Sequence, residues 1–350
     1  MENSFMQSHF TSSHITQPKN SEVESEFHPF FRIYKDGTVE RFMCNDFSPP
    51  STEHNITNNN ISSKDVMIDS QTGLSARLYL PNKQEDHRNN INNNIKLPLL
   101  IYFHGGGFCV GSPFTSTYHN YLNEVVHEAN VVAISVNYRL APEHPIPCAY
   151  EDSWTAIQWA FSHSNGCGEE AWLNQFVSFE RVFMAGDSAG ANIAHHMAMR
   201  IGKSSDRGKL VGIALVHPYF LEVCSEDDDD DDGEGEGFGA EEKAMAERMW
   251  YYAYPSTTGL NDRYINPVTG DRAENLIGLG GQKVIVFVAE MDFVGKMGRA
   301  YGEKLRESGW SGEVEILESE GEGHVFHLFD PCGEKALLMK KRFASFLNQK

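Results

Sequence analysis

Gly186-Asp187-Ser188-Ala189-Gly190 follows the apolar run Val182 to Ala185 and leads into Ala189 to Ile201, where apolar residues recur at helical spacing. A G-x-S-x-G segment between a strand and a helix is read as a sharp turn that lifts a serine hydroxyl above a sheet edge. Working outward, His104-Gly105-Gly106-Gly107-Phe108 follows another β-like run, Leu99 to Phe103. Three consecutive glycines leave backbone amides unshielded, so this loop can offer N–H donors to a developing oxyanion. The pair predicts Ser188 as a nucleophile, with backbone amides of the glycine loop as oxyanion donors.

A serine hydroxyl is a weak nucleophile near neutral pH. It needs an imidazole to take its proton and a carboxylate to fix that imidazole's tautomer. Asp292 comes just after the apolar run Val284 to Ala289, where a loop acid would leave the carboxyl edge of a sheet. His324 lies in Gly321-Glu322-Gly323-His324, after the run Val314 to Leu317. The chain order Ser188, Asp292, His324 is the order this strand–turn–helix arrangement uses. His327 rivals His324, and Glu290 and Asp262 rival Asp292. His195, His196, His104, Asp187, Tyr138 and Arg139 are read as packing or architectural residues, and the aromatic stretch around Trp250 as core.

Strand-like runs Leu99 to Phe103, Val131 to Val136, Val182 to Ala185, Leu210 to Val216 and Val284 to Ala289 alternate with helical stretches. Those helices are expected at Tyr118 to Glu128, Tyr150 to Ser162, Ala189 to Ile201, Lys243 to Tyr252, Gly298 to Ser308 and Gly333 to Leu347. Alternation of this kind predicts an α/β fold with a doubly wound, mostly parallel sheet. Phe30 to Tyr34, Val39 to Phe42 and Leu74 to Leu80 suggest short opening strands. Residues 1–26, polar and rich in Ser, Asn and Glu, are expected to form a disordered tail before a single domain spanning 27–350. The segment from 222 to about 267 interrupts the alternation and is expected, with the N-terminal segments, to form a small helical cap.

Composition narrows the partners. The chain has 350 residues, 40% hydrophobic and 22% charged, enough for a large core. Its formal charge of −20, from 29 basic against 49 acidic residues, disfavours nucleic acid, whose phosphates call for clustered Lys and Arg. Glu226, Asp227 to Asp232, Glu234 and Glu236 concentrate much of that charge in what reads as a solvated loop. The six cysteines, at 44, 109, 148, 167, 224 and 332, have no metal-type spacing and read as free thiols in a reducing compartment. No apolar run is long enough to span a membrane, and Met1 to Glu26 lacks a signal-peptide layout, so a cytoplasmic protein is expected. Asn55-Ile56-Thr57 and Asn60-Ile61-Ser62 match the glycosylation sequon and are read as chance matches.

With these motifs in view, a resemblance can be stated. The HGGGF loop, Tyr138-Arg139-Leu140-Ala141-Pro142-Glu143, Gly186 to Asn192, and Gly323-His324-Val325-Phe326-His327 resemble the plant carboxylesterases of the hormone-sensitive-lipase group, within the α/β-hydrolases. The likeness runs from about His28 to the C-terminus. It implies the α/β-hydrolase fold with a small helical cap, and hydrolysis of small-molecule carboxylic esters without a cofactor or metal. It also implies Ser188 as nucleophile, Asp292 as acid, His324 as base, and Gly105, Gly106 and Ala189 as the oxyanion hole. The family pattern after the acid differs here, where Phe293-Val294-Gly295-Lys296 follows Asp292. Two other classes stay open. One is a lyase resembling 2-hydroxyisoflavanone dehydratases or alkaloid cyclases. The other is a gibberellin-type receptor, in which the catalytic histidine is replaced, whereas His324 is retained here. Oligomeric state is not legible.

Overall fold

The structure, a computed structural model, describes residues 22–51, 60–82, 96–204, 210–222, 240–269 and 275–349. Eight strands form one sheet: β4 (Ile61–Asp69), β5 (Leu74–Pro81), β6 (Leu97–Phe103), β7 (Val132–Asn137), β8 (Val177–Asp187), β9 (Leu210–Val216), β10 (Lys283–Ala289) and β11 (Glu313–Ser319). Their spatial order is β11-β10-β9-β8-β6-β7-β5-β4. β5 pairs antiparallel with both β4 and β7, and every other pairing is parallel. The central strands are continuous apolar runs because both faces of a parallel sheet are covered. Leu99 to Phe103 and Val182 to Ala185 are fully buried.

The chain reverses direction across the sheet at β6 and β8. From β6 it crosses to β7 through α1 (Ser116–Ala129), while from β8 it runs outward to β9, β10 and β11. α1 and α7 (Glu334–Leu347) pack on one face, with Leu122, Val126, Phe343 and Phe346 against Tyr102, Phe183 and Phe287. α2 (Cys148–Ser162), α4 (Ala189–Gly202) and α6 (Gly295–Glu307) cover the other, with Ile157, Ile193 and Tyr301 against Ile101, Met184 and Val286. The gap between β6 and β8 is therefore the switch point, where crevices open at the carboxyl ends of the strands in such sheets. The loop His104–Phe108 and Ser188 both leave the sheet there.

α3 (Ala171–Phe176) precedes β8, and α5 (Ala240–Ala253) lies in the segment expected to form a cap. Its Trp250 ring meets Phe108 of the glycine loop edge-on at 6.2 Å. Tyr252, on the same helix, stacks on Phe27 at 5.3 Å and meets Phe31 edge-on. Those phenylalanines belong to a separate three-stranded sheet, β1 (Val23–Phe27), β2 (Phe31–Tyr34) and β3 (Val39–Arg41). The boundary expected for a disordered tail is thus corrected at its end. Residues 1–21 lie outside the described residues, but Val23–Phe27 is a strand that pairs with β2 and buries Phe27. The ladder with β2 and the burial of Phe27 order a segment whose composition is otherwise polar. β4 was also not foreseen, because Ser62 to Asp65 break any hydrophobic alternation, and β5 supplies its ladder instead. The acidic run 226–232 and the first sequon lie outside the described residues. Among the described residues, no helix is long and apolar enough to cross a membrane. The five described cysteines are free thiols.

Candidate active site

Ser188 sits between β8 and α4 with φ 51° and ψ −118°, a conformation unfavourable for a residue bearing a side chain. The surroundings hold it there. Its N–H donates to Val216 O (2.9 Å), and its carbonyl accepts from the N–H groups of Ala191, Asn192 and Tyr219. The turn also needs close backbone approach. A Cβ on Gly190 would lie 1.9 Å from Phe103 O and 2.7 Å from His104 O, so only glycine lets α4 start against the end of β6.

Asp292 leaves the carboxyl end of β10 and His324 follows β11. His324 Nε2 lies 2.9 Å from Ser188 Oγ, and His324 Nδ1 lies 2.9 Å from each Asp292 oxygen. Burial raises the Asp292 carboxyl, but His324 and the Val294 N–H together hold it below its ordinary range. Val294 N donates to Asp292 Oδ1 at 3.1 Å. The acid thus closes the turn ahead of α6, whose own N-cap, Val294, brings no capping side chain. Of the rivals, Glu290 accepts from Gly321 N (2.6 Å), Asp262 is taken up by Thr257, Thr258 and Tyr264, and His327 is buried against Tyr121 and His217. The structure brings together Ser188, Asp292 and His324, and none of the rivals. Their arrangement allows proton transfer from Ser188 to His324, with the resulting imidazolium facing a carboxylate.

One expected donor is corrected. Gly105 N–H donates to the Tyr118 hydroxyl at 2.8 Å, so it is not free to face an oxyanion. That hydroxyl donates in turn to Asp187 Oδ2 (2.8 Å), and Tyr102 donates to Asp187 Oδ1 (2.7 Å). Burial pushes the Asp187 carboxyl up, and the two tyrosine hydroxyls only partly offset it. Among the described residues, no hydrogen bond uses the N–H of Gly106, Gly107 or Ala189. At Gly106, φ is +103° and a Cβ would lie 2.1 Å from Val110 O, so the turn that exposes these amides excludes any side chain.

The remaining histidines have structural environments. His104 donates from Nδ1 to Gly105 O (2.8 Å) and stacks on Tyr138 at 4.3 Å, while burial lowers it to about 4. Tyr138 also donates to His104 O (2.7 Å), so both residues shape the glycine loop. Arg139 forms a forked pair with Asp152. His195 meets the Tyr301 hydroxyl and His196 donates to Tyr264 O. Met249 of α5 lies directly over Gly107, where an added Cβ would come within 2.4 Å of its Cγ.

His217, at the end of β9, was not singled out from the sequence. Its ring is wholly buried beside the triad, with Nδ1 3.8 Å from Asp292 Oδ2. The readable signal was its position, directly after Leu210 to Val216 and so at the edge from which Ser188 and Asp292 emerge.

Comparisons with known proteins agree with this fold. A family model described as alpha/beta hydrolase fold matches residues 100–328, and a carboxylesterase family model matches residues 35–142. The chain is 45% identical to probable carboxylesterase 13 of Arabidopsis thaliana, over 94% of this chain and 98% of the relative. It is 46% identical to the same plant's probable carboxylesterase 4, mitochondrial, covering 95% of this chain and 86% of the relative. Among solved structures, the thermophilic carboxylesterase EstE1, cloned from a metagenomic library, superposes with a TM-score of 0.65 at 25% identity, over 82% of this chain and 88% of that one.

Proposed function

The chain belongs to the α/β-hydrolase fold family, among the plant carboxylesterases, and from that premise we propose that it hydrolyses carboxylic esters of small molecules through an acyl-enzyme on Ser188. The observation that carries this reading is the unbroken chain Ser188 Oγ, His324 Nε2, His324 Nδ1, Asp292, with 2.9 Å at each step. His324 takes the Ser188 proton as Oγ attacks the ester carbonyl. The tetrahedral oxyanion is held by the amides of Gly106 and Ala189, with Gly107 in the place expected for Gly105. Collapse returns the proton to the departing alcohol. Water deprotonated by His324 then attacks the acyl-enzyme and frees the acid. No step requires a cofactor. α5, with β1–β3 behind it, forms the cap that borders the oxyanion loop through Met249 and limits the substrates that reach Ser188.

Hydrolysis of short-chain p-nitrophenyl esters by the native protein and by Ser188→Ala tests this. Turnover in the native protein that disappears in the variant supports the esterase. An inert native protein, or a variant as active as the native one, would overturn it and return weight to elimination chemistry or ligand reception.

A further inference from the structure

The dipeptide Val216-His217, at the end of β9, touches all three loops that carry the candidate triad. Val216 O accepts the Ser188 N–H (2.9 Å), His217 N–H donates to Phe287 O within the acid-bearing strand (2.9 Å), and Val325 N–H donates to His217 Nδ1 (2.8 Å). The last bond lies immediately after His324. Upstream of His324, the loop is tied by Gly321 N–H to Glu290 and by Met291 N–H to Glu322 O. Downstream, it reaches the sheet edge through His217.

That downstream tether works against a backbone preference. Val325 has φ 48° and ψ 33°, a left-handed conformation that its branched Cβ disfavours. A buried acceptor aimed at its N–H is the kind of restraint that keeps such a residue in place. The His217 ring is itself tightly packed, stacked on Phe326 at 5.6 Å and meeting His327 edge-on at 5.7 Å. Accepting from a backbone N–H requires Nδ1 to be unprotonated, which places the proton on Nε2. Burial acts in the same direction, keeping the ring neutral. A neutral His217 with its Nδ1 occupied does not compete with His324 for the Asp292 carboxylate, 3.8 Å away.

We propose that His217 is a positioning residue for the esterase reaction: its Nδ1 acceptor pins the Val325 turn and thereby holds His324 between Ser188 and Asp292. This rests on the reading of Ser188 and His324 as the reacting pair.

The test compares His217→Asn, His217→Gln and His217→Ala, beside native protein and Ser188→Ala. Asparagine carries a carbonyl oxygen the same number of bonds from Cα as Nδ1, so it can still accept from Val325 N–H. Glutamine carries its amide one atom farther out. The expected result is kcat within about threefold of native for His217→Asn. For His217→Gln and His217→Ala, kcat falls tenfold or more with KM within about threefold, each measured on folded protein as judged by circular dichroism. Equal loss in Asn and Gln, or native kcat in Ala, overturns the inference. If variants fail to fold, nitrogen-15 NMR of histidine-labelled native protein decides. A His217 ring protonated on Nε2 and unchanged from pH 5 to 8 sustains it, and a proton on Nδ1 overturns it. Loss of the triad reading shows separately, as hydrolysis surviving in Ser188→Ala.

Discussion

Replacing Tyr118 by phenylalanine removes one oxygen that serves two neighbours, accepting from Gly105 N–H and donating to Asp187 Oδ2, each at 2.8 Å. The first loss strands a buried backbone donor, at a cost of about 1–3 kcal/mol. The second takes from a fully buried carboxylate one of its two hydroxyl donors, worth about 1.5–3 kcal/mol for a charged acceptor. Allowing for local relaxation, a loss of about 3–4 kcal/mol is expected near pH 7. Its pH dependence has a definite sign. Burial already raises the Asp187 carboxyl, so its ionisation weakens the fold above its folded pKa, and protonation relieves that strain. Removing Tyr118 raises it further, so the deficit of the variant should shrink on acidification, by at most about 1.4 kcal/mol per pH unit. Urea unfolding of native and variant protein at pH 7 and pH 5 measures both effects. Esterase kcat should fall about 10- to 100-fold as the glycine loop loses its anchor, a smaller effect than deleting a donor outright. A stability loss below about 1 kcal/mol, or a deficit that grows at pH 5, refutes the account.

Other perturbations have equally definite outcomes. Asp292→Asn should lower kcat about 10⁴-fold with little change in KM, because His324 loses the partner that sets its tautomer; a drop under tenfold in steady-state assays would remove Asp292 from the reaction. Gly190→Ala must push its Cβ away from Phe103 O, 1.9 Å off, and should cost about 2 kcal/mol or more in urea midpoint while depressing kcat. Acid should weaken the fold through its buried neutral histidines. Burial holds His104 and His196 at about 4 and His327 at about 3, against an unfolded value near 6.5. The stability they confer is therefore intact above about pH 6.5 and falls toward pH 4, by up to about 1.4 kcal/mol per pH unit for each. Urea midpoints that stay level or rise between pH 7 and pH 5 would contradict this.

The parallel sheet was legible because its strands are short apolar runs separated by helical stretches, and β6, β8 and β10 fall on such runs. Ser188, Asp292 and His324 were legible because glycines or strand ends mark each one. What escaped was whatever depends on a partner distant in sequence. Gly105 carries an amide that any reading of a glycine run leaves exposed, yet Tyr118, thirteen residues on and carried by α1, reaches back to occupy it. His217 acts on a backbone N–H, a group every non-proline residue has, so its role leaves no motif. β1 was lost among polar residues because what holds it, the ladder with β2 and the packing of Phe27 on a helix more than two hundred residues later, lies outside its own composition.

Two aspartates lie buried beside Ser188, and their surroundings separate their roles. Asp187 precedes the serine in sequence and is saturated by tyrosine hydroxyls, which keep their own protons and take up no other near neutral pH, because burial raises Tyr102 and Tyr118 still further. Asp292 is over a hundred residues away and faces an imidazole, the side chain whose charge changes near neutrality. Burial raises both carboxyls, but only at Asp292 do the neighbouring groups outweigh it and favour the anion. A carboxylate kept ionised against a titratable base can stabilise the charge that appears when Ser188 gives up its proton; one enclosed by phenols can only hold its donors in place. The same residue type thus builds the frame at Asp187 and, in the proposed reaction, supports the base at Asp292, according to whether its partner can take up a proton.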